Sequence, residues 1–473
     1  MQVLESLTSL AWGWPTIGLF LLTGAYYSLR TGFFSLFGLR EWWGATVGGR
    51  RGRARVRGGL SPMQTISTAL AATIGTGSIA GVATALTFGG PGAVFWMWVS
   101  ALLGMMTGWA EKALAISLRR RTSDGWQGGP MLWLELAGLP GLAKLFAVAV
   151  VLASFGMGNL VQANSMAQAL EGAFGVPPLV TGLAAAAVTG LALAGGVSRL
   201  GQICERLVPV MALGYLAGGL WVIVTHLSAL PGALAAIVDG ALGHEALFGG
   251  MGAAALQYGL ARGVMTNEAG LGSTPLIHCS ASNTDARTEG MWGIFEVFCS
   301  TLLVCTVTAL AVLTSGVYRA GEGALTGAQL TAAAFSTVLG GWGGPFISLC
   351  LALFGFTTLL GWSWYGRCAL TWLTGGRGER LYRAAFLLAV CAGSCLALRP
   401  VWQLADVFNA LMAWPSLAAL LLWSGRALRI FRGQAVEELP HTNRTAPPGH
   451  TDGEVMTDVP KEEARRSGER HTG

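Results

Sequence analysis

Charge is scarce in this chain. Only 11% of its 473 residues are Asp, Glu, Lys or Arg, too few to cover a soluble surface of this size. Histidine is scarcer still, and three of its six copies, His441, His450 and His471, fall in the last stretch. No His or Cys constellation has the spacing of a metal centre or of a nucleophile with its base, which argues against a membrane-embedded enzyme. The eight cysteines (Cys204, Cys279, Cys299, Cys305, Cys350, Cys368, Cys391, Cys395) lie in or beside apolar runs, without the pattern of an external disulfide framework, and read as packing residues. Residues 14–29 lack a basic flank before them and a small-residue cleavage motif after them, so they read as a retained first helix and not as a signal peptide.

What is abundant is apolar sequence, 53% of the chain, together with 69 glycines. Between residue 11 and residue 425 the chain holds about eleven apolar runs of roughly 20 residues, the length that crosses hydrocarbon. The expected spans are 12–27, 62–88, 92–118, 143–170, 178–196, 203–225, 249–280, 290–314, 345–373, 382–398 and 401–424. The net charge of +6 sits mainly between the runs. That is the pattern of membrane orientation, not of nucleic-acid binding. Arg40, Arg50, Arg51, Arg53, Arg55 and Arg57 make the loop after the first span cytoplasmic, whereas the alternate loops hold chiefly Arg319 and Arg399. This orientation puts the N-terminus outside and the C-terminus in the cytoplasm of a multi-pass protein of the cell membrane. The outer loops 227–248 and 316–342 are long enough for short surface helices, and from residue 432 the composition cannot bury a core, which predicts a disordered tail.

Two spans carry glycine clusters where a helix should be smoothest. In the second, Gly75, Gly77 and Gly81 lack helix-holding side chains, while Thr73, Thr76 and Ser78 offer hydroxyls that re-satisfy freed backbone groups. In the seventh, the run from Gly263 to Ser273 reads GVMTNEAGLGS. Taken singly, either cluster fits close helix packing through small residues as well as it fits a site. Setting the first span aside leaves ten, or two sets of five, each beginning with an interrupted helix. An odd repeat of this kind is inverted, and breaks at matching positions point to a transporter site. The expected layout is residues 1–61 for the first helix and basic loop, 62–226 for one repeat, 227–248 for an outer loop, 249–425 for the second repeat and 426–473 for the tail.

A zwitterionic amino acid needs donors for its carboxylate and acceptors for its ammonium, and a pair of broken helices supplies both as backbone dipoles. The amides near Gly77, Ser78 and Ile79 suit a carboxylate. Thr357 and Thr358 offer hard oxygens for a small cation such as sodium, although membrane threonines commonly bond back to their own helix. Trp362 follows one turn later, as a pocket wall or a core residue. Asn159, Gln162, Asn164 and Gln168 recur on the fourth span, with Gln162 expected to face substrate and interhelical hydrogen bonding competing for the others. Glu111, Glu268 and Glu296 are intramembrane carboxylates and therefore functional candidates, Glu268 with the alternative of capping, beside Asn267, the helix that resumes.

GTGSIAGVA (75–83), GGPGAVFWMWV (89–99), Ala110-Glu111, GGPM (128–131), GNLVQANS (158–165), NEAGLGS (267–273), FEVF (295–298), FTTLLGW (356–362) and ADVFNALMAWP (405–415) follow in order. Through these motifs the chain resembles the alanine/glycine:cation symporter family over residues 11–425. The resemblance implies an all-α membrane fold of the leucine-transporter class, an inverted five-helix repeat after one extra N-terminal helix. It implies sodium-coupled symport of small neutral amino acids, alanine, glycine or serine, by alternating access. The substrate site so implied comprises Thr76, Gly77, Ser78, Ile79, Gln162, Asn267, Leu271 and Trp362, and sodium is held by Thr73, Gly75, Thr357 and Thr358. The family pattern reads Gly-Thr-Gly-Asn where this chain has Ser78, and commonly has Asp where Ser300 stands. A shorter side chain at 78 should give the pocket room and cost it a contact. The competing readings are a proton-coupled or differently specific carrier of the same fold, and a sensor that binds without moving its ligand.

Overall fold

The computed structural model describes residues 11–48, 59–122, 125–243, 250–319 and 325–437. Among these, nearly all regular structure is helical. The helices are α1 (Trp14–Arg30), α2 (Phe34–Phe37), α3 (Leu39–Ala45), α4 (Pro62–Thr73), α5 (Ala80–Gly89), α6 (Gly92–Ser117), α7 (Pro130–Leu136), α8 (Pro140–Phe155), α9 (Val161–Phe174), α10 (Pro178–Leu193) and α11 (Gly196–Thr225). They continue as α12 (Leu230–Leu242), α13 (Gly250–Asn267), α14 (Pro275–His278), α15 (Ala286–Val297), α16 (Thr306–Thr314), α17 (Gly327–Leu339), α18 (Gly343–Thr374), α19 (Glu379–Cys395), α20 (Leu398–Leu422) and α21 (Ser424–Phe431). Six helical stretches among the described residues are long and apolar enough to cross a bilayer: Gly92–Ser117, Pro140–Phe174, Gly196–Thr225, Ala286–Thr314, Gly327–Thr374 and Pro400–Leu422. The protein is a multi-pass membrane protein.

Lipid tails offer no hydrophobic drive to bring helices together, so close contact between small residues has to do it. The backbones of α6 and α15 touch at Gly108 and Gly293, where a Cβ on Gly293 would run into the Gly108 carbonyl. Leu22, Val210, Leu213, Trp221 and Leu388 instead face outward, as a lipid-contacting surface requires.

The chain is interrupted twice. Pro62 at the first turn and a capping box, Ser61 Oγ accepting from the Gln64 amide at 3.1 Å and Gln64 Oε1 from the Ser61 amide at 3.2 Å, start α4 firmly. It stops at Thr73, a short 3₁₀ turn covers Thr76–Ser78, and the helix resumes as α5. The second interruption separates α13 from α14, with Gly270 (φ +93°) and Gly272 (φ +75°) in left-handed backbone that glycine alone enters freely. Just before α4 and just after α14 the two interrupted helices are joined: the Leu60 amide donates to Ser280 O and the Ser282 amide to Leu60 O, both at 2.8 Å.

Several elements depart from the reading of the sequence. Strands β1 (Arg120–Thr122) and β2 (Gly125–Gln127) form an antiparallel hairpin with Arg121 opposite Trp126. The segment 316–342, expected as an outer loop with room for a short surface helix, carries α17, which is packed inside: Thr331 Oγ1 donates to the Ile79 carbonyl at 3.3 Å and Phe335 stacks on Tyr215 at 5.6 Å, because the 3.6-residue spacing of Leu330, Ala334 and Phe335 makes an apolar face. The tail begins later than residue 426, since α21 docks through Arg426 Nε on Ser117 Oγ (2.6 Å) and Phe431 on Trp109 (5.2 Å). The expected disordered stretch 438–473, the basic residues 49–58 and residues 244–249 and 320–324 lie outside the described residues.

Candidate functional site

The first interruption is lined by backbone and hydroxyls. Gln162 Oε1 accepts from both the amide (3.3 Å) and the hydroxyl (3.0 Å) of Thr76, while its Nε2 donates to Met157 O at 3.0 Å. Met157 belongs to a π turn, Gly156–Leu160, between α8 and α9. The extra residue of such a turn re-aims side chains, a device common at functional sites. Here it presents Gly158 to Trp362, whose side chain occupies the place a Cβ would take. A Cβ on Gly77 would meet only Thr266 Cγ2 at 3.6 Å and Met157 Cε at 3.9 Å, so the backbone there faces a small space bounded by α13 and the π turn.

Next to it lies a cluster of hard oxygens. Thr358 Oγ1 stands 2.8 Å from Ala71 O and 2.9 Å from Phe354 O, and a Cβ at Gly75 would come within 2.7 Å of it. Phe354 O is inside α18 and also receives the Thr357 hydroxyl at 3.1 Å, whereas Ala71 O lies in the last turn of α4, so Ala71 O and Thr358 Oγ1 are the oxygens here that could turn to a sodium ion. The other two threonines behave differently. Thr73 Oγ1 donates to Ala69 O at 3.2 Å within its own helix, and Thr357 Oγ1 donates to Phe354 O at 3.1 Å while facing Met211 Sδ at 3.7 Å on α11. Adjacent residues on α18 thus point to opposite neighbours, as a 100° step per residue dictates.

Behind the 3₁₀ turn, a second π turn (Phe298–Cys305) joins α15 to α16. Ser78 O accepts from Thr308 Oγ1 at 2.9 Å, and Thr266 Oγ1 meets Thr301 Oγ1 at 3.2 Å. Ser78 Oγ is buried without a hydrogen-bond partner among the described residues.

The second interruption is built from carboxylates. Glu111 Oε1 accepts from the amides of Gly270 (3.0 Å) and Gly272 (2.9 Å). Lys112 Nζ lies 3.4 Å from Glu111 Oε2 and 3.1 Å from Glu296 Oε2, all three side chains being inaccessible to solvent. His278 Nδ1 meets Glu289 Oε1 at 2.7 Å and Nε2 lies 3.7 Å from Glu296 Oε2. Glu268, at φ +53°, accepts from Ser273 Oγ at 2.5 Å and from Trp362 Nε1 at 3.1 Å, tying α18 to the break. Beyond the end of α6, Arg119 Nη1 donates to the carbonyls of Cys279 (3.0 Å) and Ala281 (2.7 Å) and its guanidinium lies 4.1 Å over Trp126. Burial lowers that guanidinium below its ordinary pKa.

Of the residues singled out in the sequence, the structure brings Gly75, Thr76, Gln162 and Thr358 together, with Gly77, Ser78 and Ile79 following on the same turn. Trp362 stands beside Gly158 and Glu268. Asn267 caps the Ala269 amide at 3.0 Å and faces Gly104 of α6, and Leu271 is buried with its amide on Glu268 O. Asn159 donates to Phe386 O and Asn164 to Gly393 O and Leu396 O, the interhelical reading of those amides. Lys112, Thr301 and the Arg262–Asp406 pair (3.2 Å) were not singled out. Lys112 follows Glu111 directly, and Arg262 sits inside an apolar run, which is the signal that could have found them.

Over residues 1–438 the chain matches the family model described as the sodium:alanine symporter family. It is 40% identical to the sodium/alanine symporter AgcS of Methanococcus maripaludis over 433 residues, 90% of this chain and 95% of that one. It is 36% identical to the probable sodium/glutamine symporter GlnT of Bacillus subtilis over 436 residues, 89% of each chain. Its fold is similar to the crystal structure of MhsT in complex with L-phenylalanine, at a TM-score of 0.52 and 14% identity, covering 80% of this chain and 97% of that chain. The chain is a transporter and not an enzyme, and it belongs to the sodium:alanine symporter family.

Proposed function

We propose that the protein couples sodium entry to the uptake of small neutral amino acids, alanine, glycine and serine, by alternating access. The observation that carries this reading is the meeting of Thr358 Oγ1 and Ala71 O beside the Gly75–Ser78 turn, a pair of hard oxygens next to backbone amides. Sodium would sit at those oxygens, with Gly75 leaving it room and Thr73 and Thr357 turning in if they join. The carboxylate of the substrate would meet the turn at Thr76–Ile79, the positive end of α5. Its ammonium would face the carbonyl end of α13, and its small side chain the space between Gly77, Met157 and Trp362. Asn267 and Leu271 would act by shaping the second break. The names of the two relatives, one for alanine and one for glutamine, support the amino-acid class and leave room for a broader substrate.

The same proposal has eleven spans, α1 followed by two inverted repeats over 62–226 and 249–425, with the N-terminus outside and the tail in the cytoplasm. Cysteines introduced at positions 53 and 234 should then react with an impermeant thiol reagent from opposite sides, and labelling of both from outside would overturn the topology. The functional test is labelled alanine uptake in proteoliposomes with sodium replaced by choline or lithium at two pH values. Uptake that needs sodium at both supports the reading. Uptake driven by a pH gradient without sodium would establish the proton-coupled alternative, and binding without uptake would make the protein a sensor.

A further inference from the structure

The two interruptions each expose amides, but one set is already taken. Glu111 Oε1 accepts from Gly270 and Gly272 at 3.0 and 2.9 Å, and the positive φ of both glycines curls their amides towards one point, a backbone concavity of the kind that holds anions. The carboxylate that fills it comes from α6 and is wholly buried. Its second oxygen faces Lys112, which Glu296 on α15 also holds, so a carboxylate that swung away would leave two bare buried amides and give up one of the two partners of a buried cation.

We infer that Glu111 is the resident anion of the second break and fixes the polarity in which a zwitterion can bind. It is a positioning residue, acting on substrate through the 268–272 backbone. With those two amides occupied, the substrate carboxylate is turned away from the glycine cradle of the second break and towards the turn at Thr76–Ile79. The sequence offers two anion cradles, and the protein closes one with its own side chain. This inference rests on the proposed amino-acid site.

The test compares the full-length wild type with Glu111→Gln and Glu111→Gly in proteoliposomes. Glutamine keeps an oxygen that accepts from both amides, whereas glycine leaves them bare in a cavity large enough for formate. An unmade hydrogen bond at buried donors is far costlier than a changed one, so the apparent KM for alanine should rise about threefold in Glu111→Gln and at least about tenfold in Glu111→Gly, with Vmax changing less. Formate added at constant sodium should return the KM of Glu111→Gly towards wild type and raise its unfolding temperature in detergent, without acting on wild type. If Glu111→Gly folds only when formate is present during expression and purification, that dependence supports the inference equally. Equal loss of Vmax in both variants at unchanged KM, or indifference of Glu111→Gly to formate in uptake and unfolding alike, overturns it. The thermal measurement needs no substrate: wild type without sodium-dependent alanine uptake would sink the proposed function while a formate shift in Glu111→Gly still marked the cradle.

Discussion

The two broken helices solve the same backbone problem by opposite means. At the first, freed groups are met by neutral side chains: Gln162 takes the Thr76 amide, Thr308 serves the Ser78 carbonyl, and Thr358 serves the Ala71 carbonyl. At the second, they are met by charge, with Glu111 on two amides and Lys112, Glu296, His278 and Glu289 ranked behind it. Neutral partners bind backbone weakly enough to be exchanged for a ligand. A buried ion pair is costly to disturb, because removing one partner leaves the other uncompensated. The first break is therefore the exchangeable one, and the second is its rigid counterpart.

The largest effect should come from attacking the rigid side. Lys112→Met removes the cation between Glu111 and Glu296 and should destabilise the protein by about 3–5 kcal/mol, read as loss of monodisperse protein and a lowered unfolding temperature. Thr76→Val, at the exchangeable side, should leave unfolding nearly unchanged. Equal destabilisation by the two would erase the distinction. Next in size is Gly77→Ala. The new Cβ has ordinary contacts to Thr266 and Met157, so the variant should fold as wild type does, yet it narrows the space before the turn and should weaken alanine binding at least about tenfold, the scale of small shape errors in a fitted site. Unaltered alanine affinity by isothermal titration would place the substrate elsewhere.

Smaller again is Thr358→Ala. Losing one of few hard oxygens should raise the half-saturating sodium concentration by about tenfold, while Thr357→Ala, whose hydroxyl faces Met211, should change it by less. Reversed ranking in sodium-activation curves would show that α18 turns on binding. The smallest effect is expected at Ser78, where Asn would offer a second polar atom on a longer arm and narrow the preference towards alanine and glycine. Identical competition profiles for labelled alanine in wild type and Ser78→Asn would mean that the side chain at 78 does not reach the pocket.

The neutral break was legible in the sequence because its cause is local: three glycines and three hydroxyls within a few residues weaken a helix there and offer side chains to the freed backbone groups. The six long apolar helices were legible for the same reason, with their apolar length. What was not legible depends on partners far along the chain. Glu111 could be flagged as an expensive carboxylate, but nothing local says that its oxygen lies on Gly270 and Gly272, or that Lys112 bridges it to Glu296. The threonine pair was ambiguous for a related reason: whether a hydroxyl faces its own helix or the next is decided by the rotation of α18 against α4, a tertiary quantity. The hairpin had a local signal that went unused, the turn-forming residue types Ser123 and Asp124 in the sequence between Thr122 and Gly125.

The link between Leu60 and Ala281 gives the comparison a mechanical side. Leu60 both donates to Ser280 and accepts from Ser282, so one residue ahead of the exchangeable helix stitches it to the far end of the rigid one. If these ends of the two helices part during transport, both hydrogen bonds are lost in one event, for half a stitch leaves no favourable register. Two such bonds contribute about 1–3 kcal/mol together. That is enough to give the motion a threshold, so that the ends stay shut against thermal jostling and release as a unit, with the amides of Leu60 and Ser282 losing their protection from solvent exchange at the same rate.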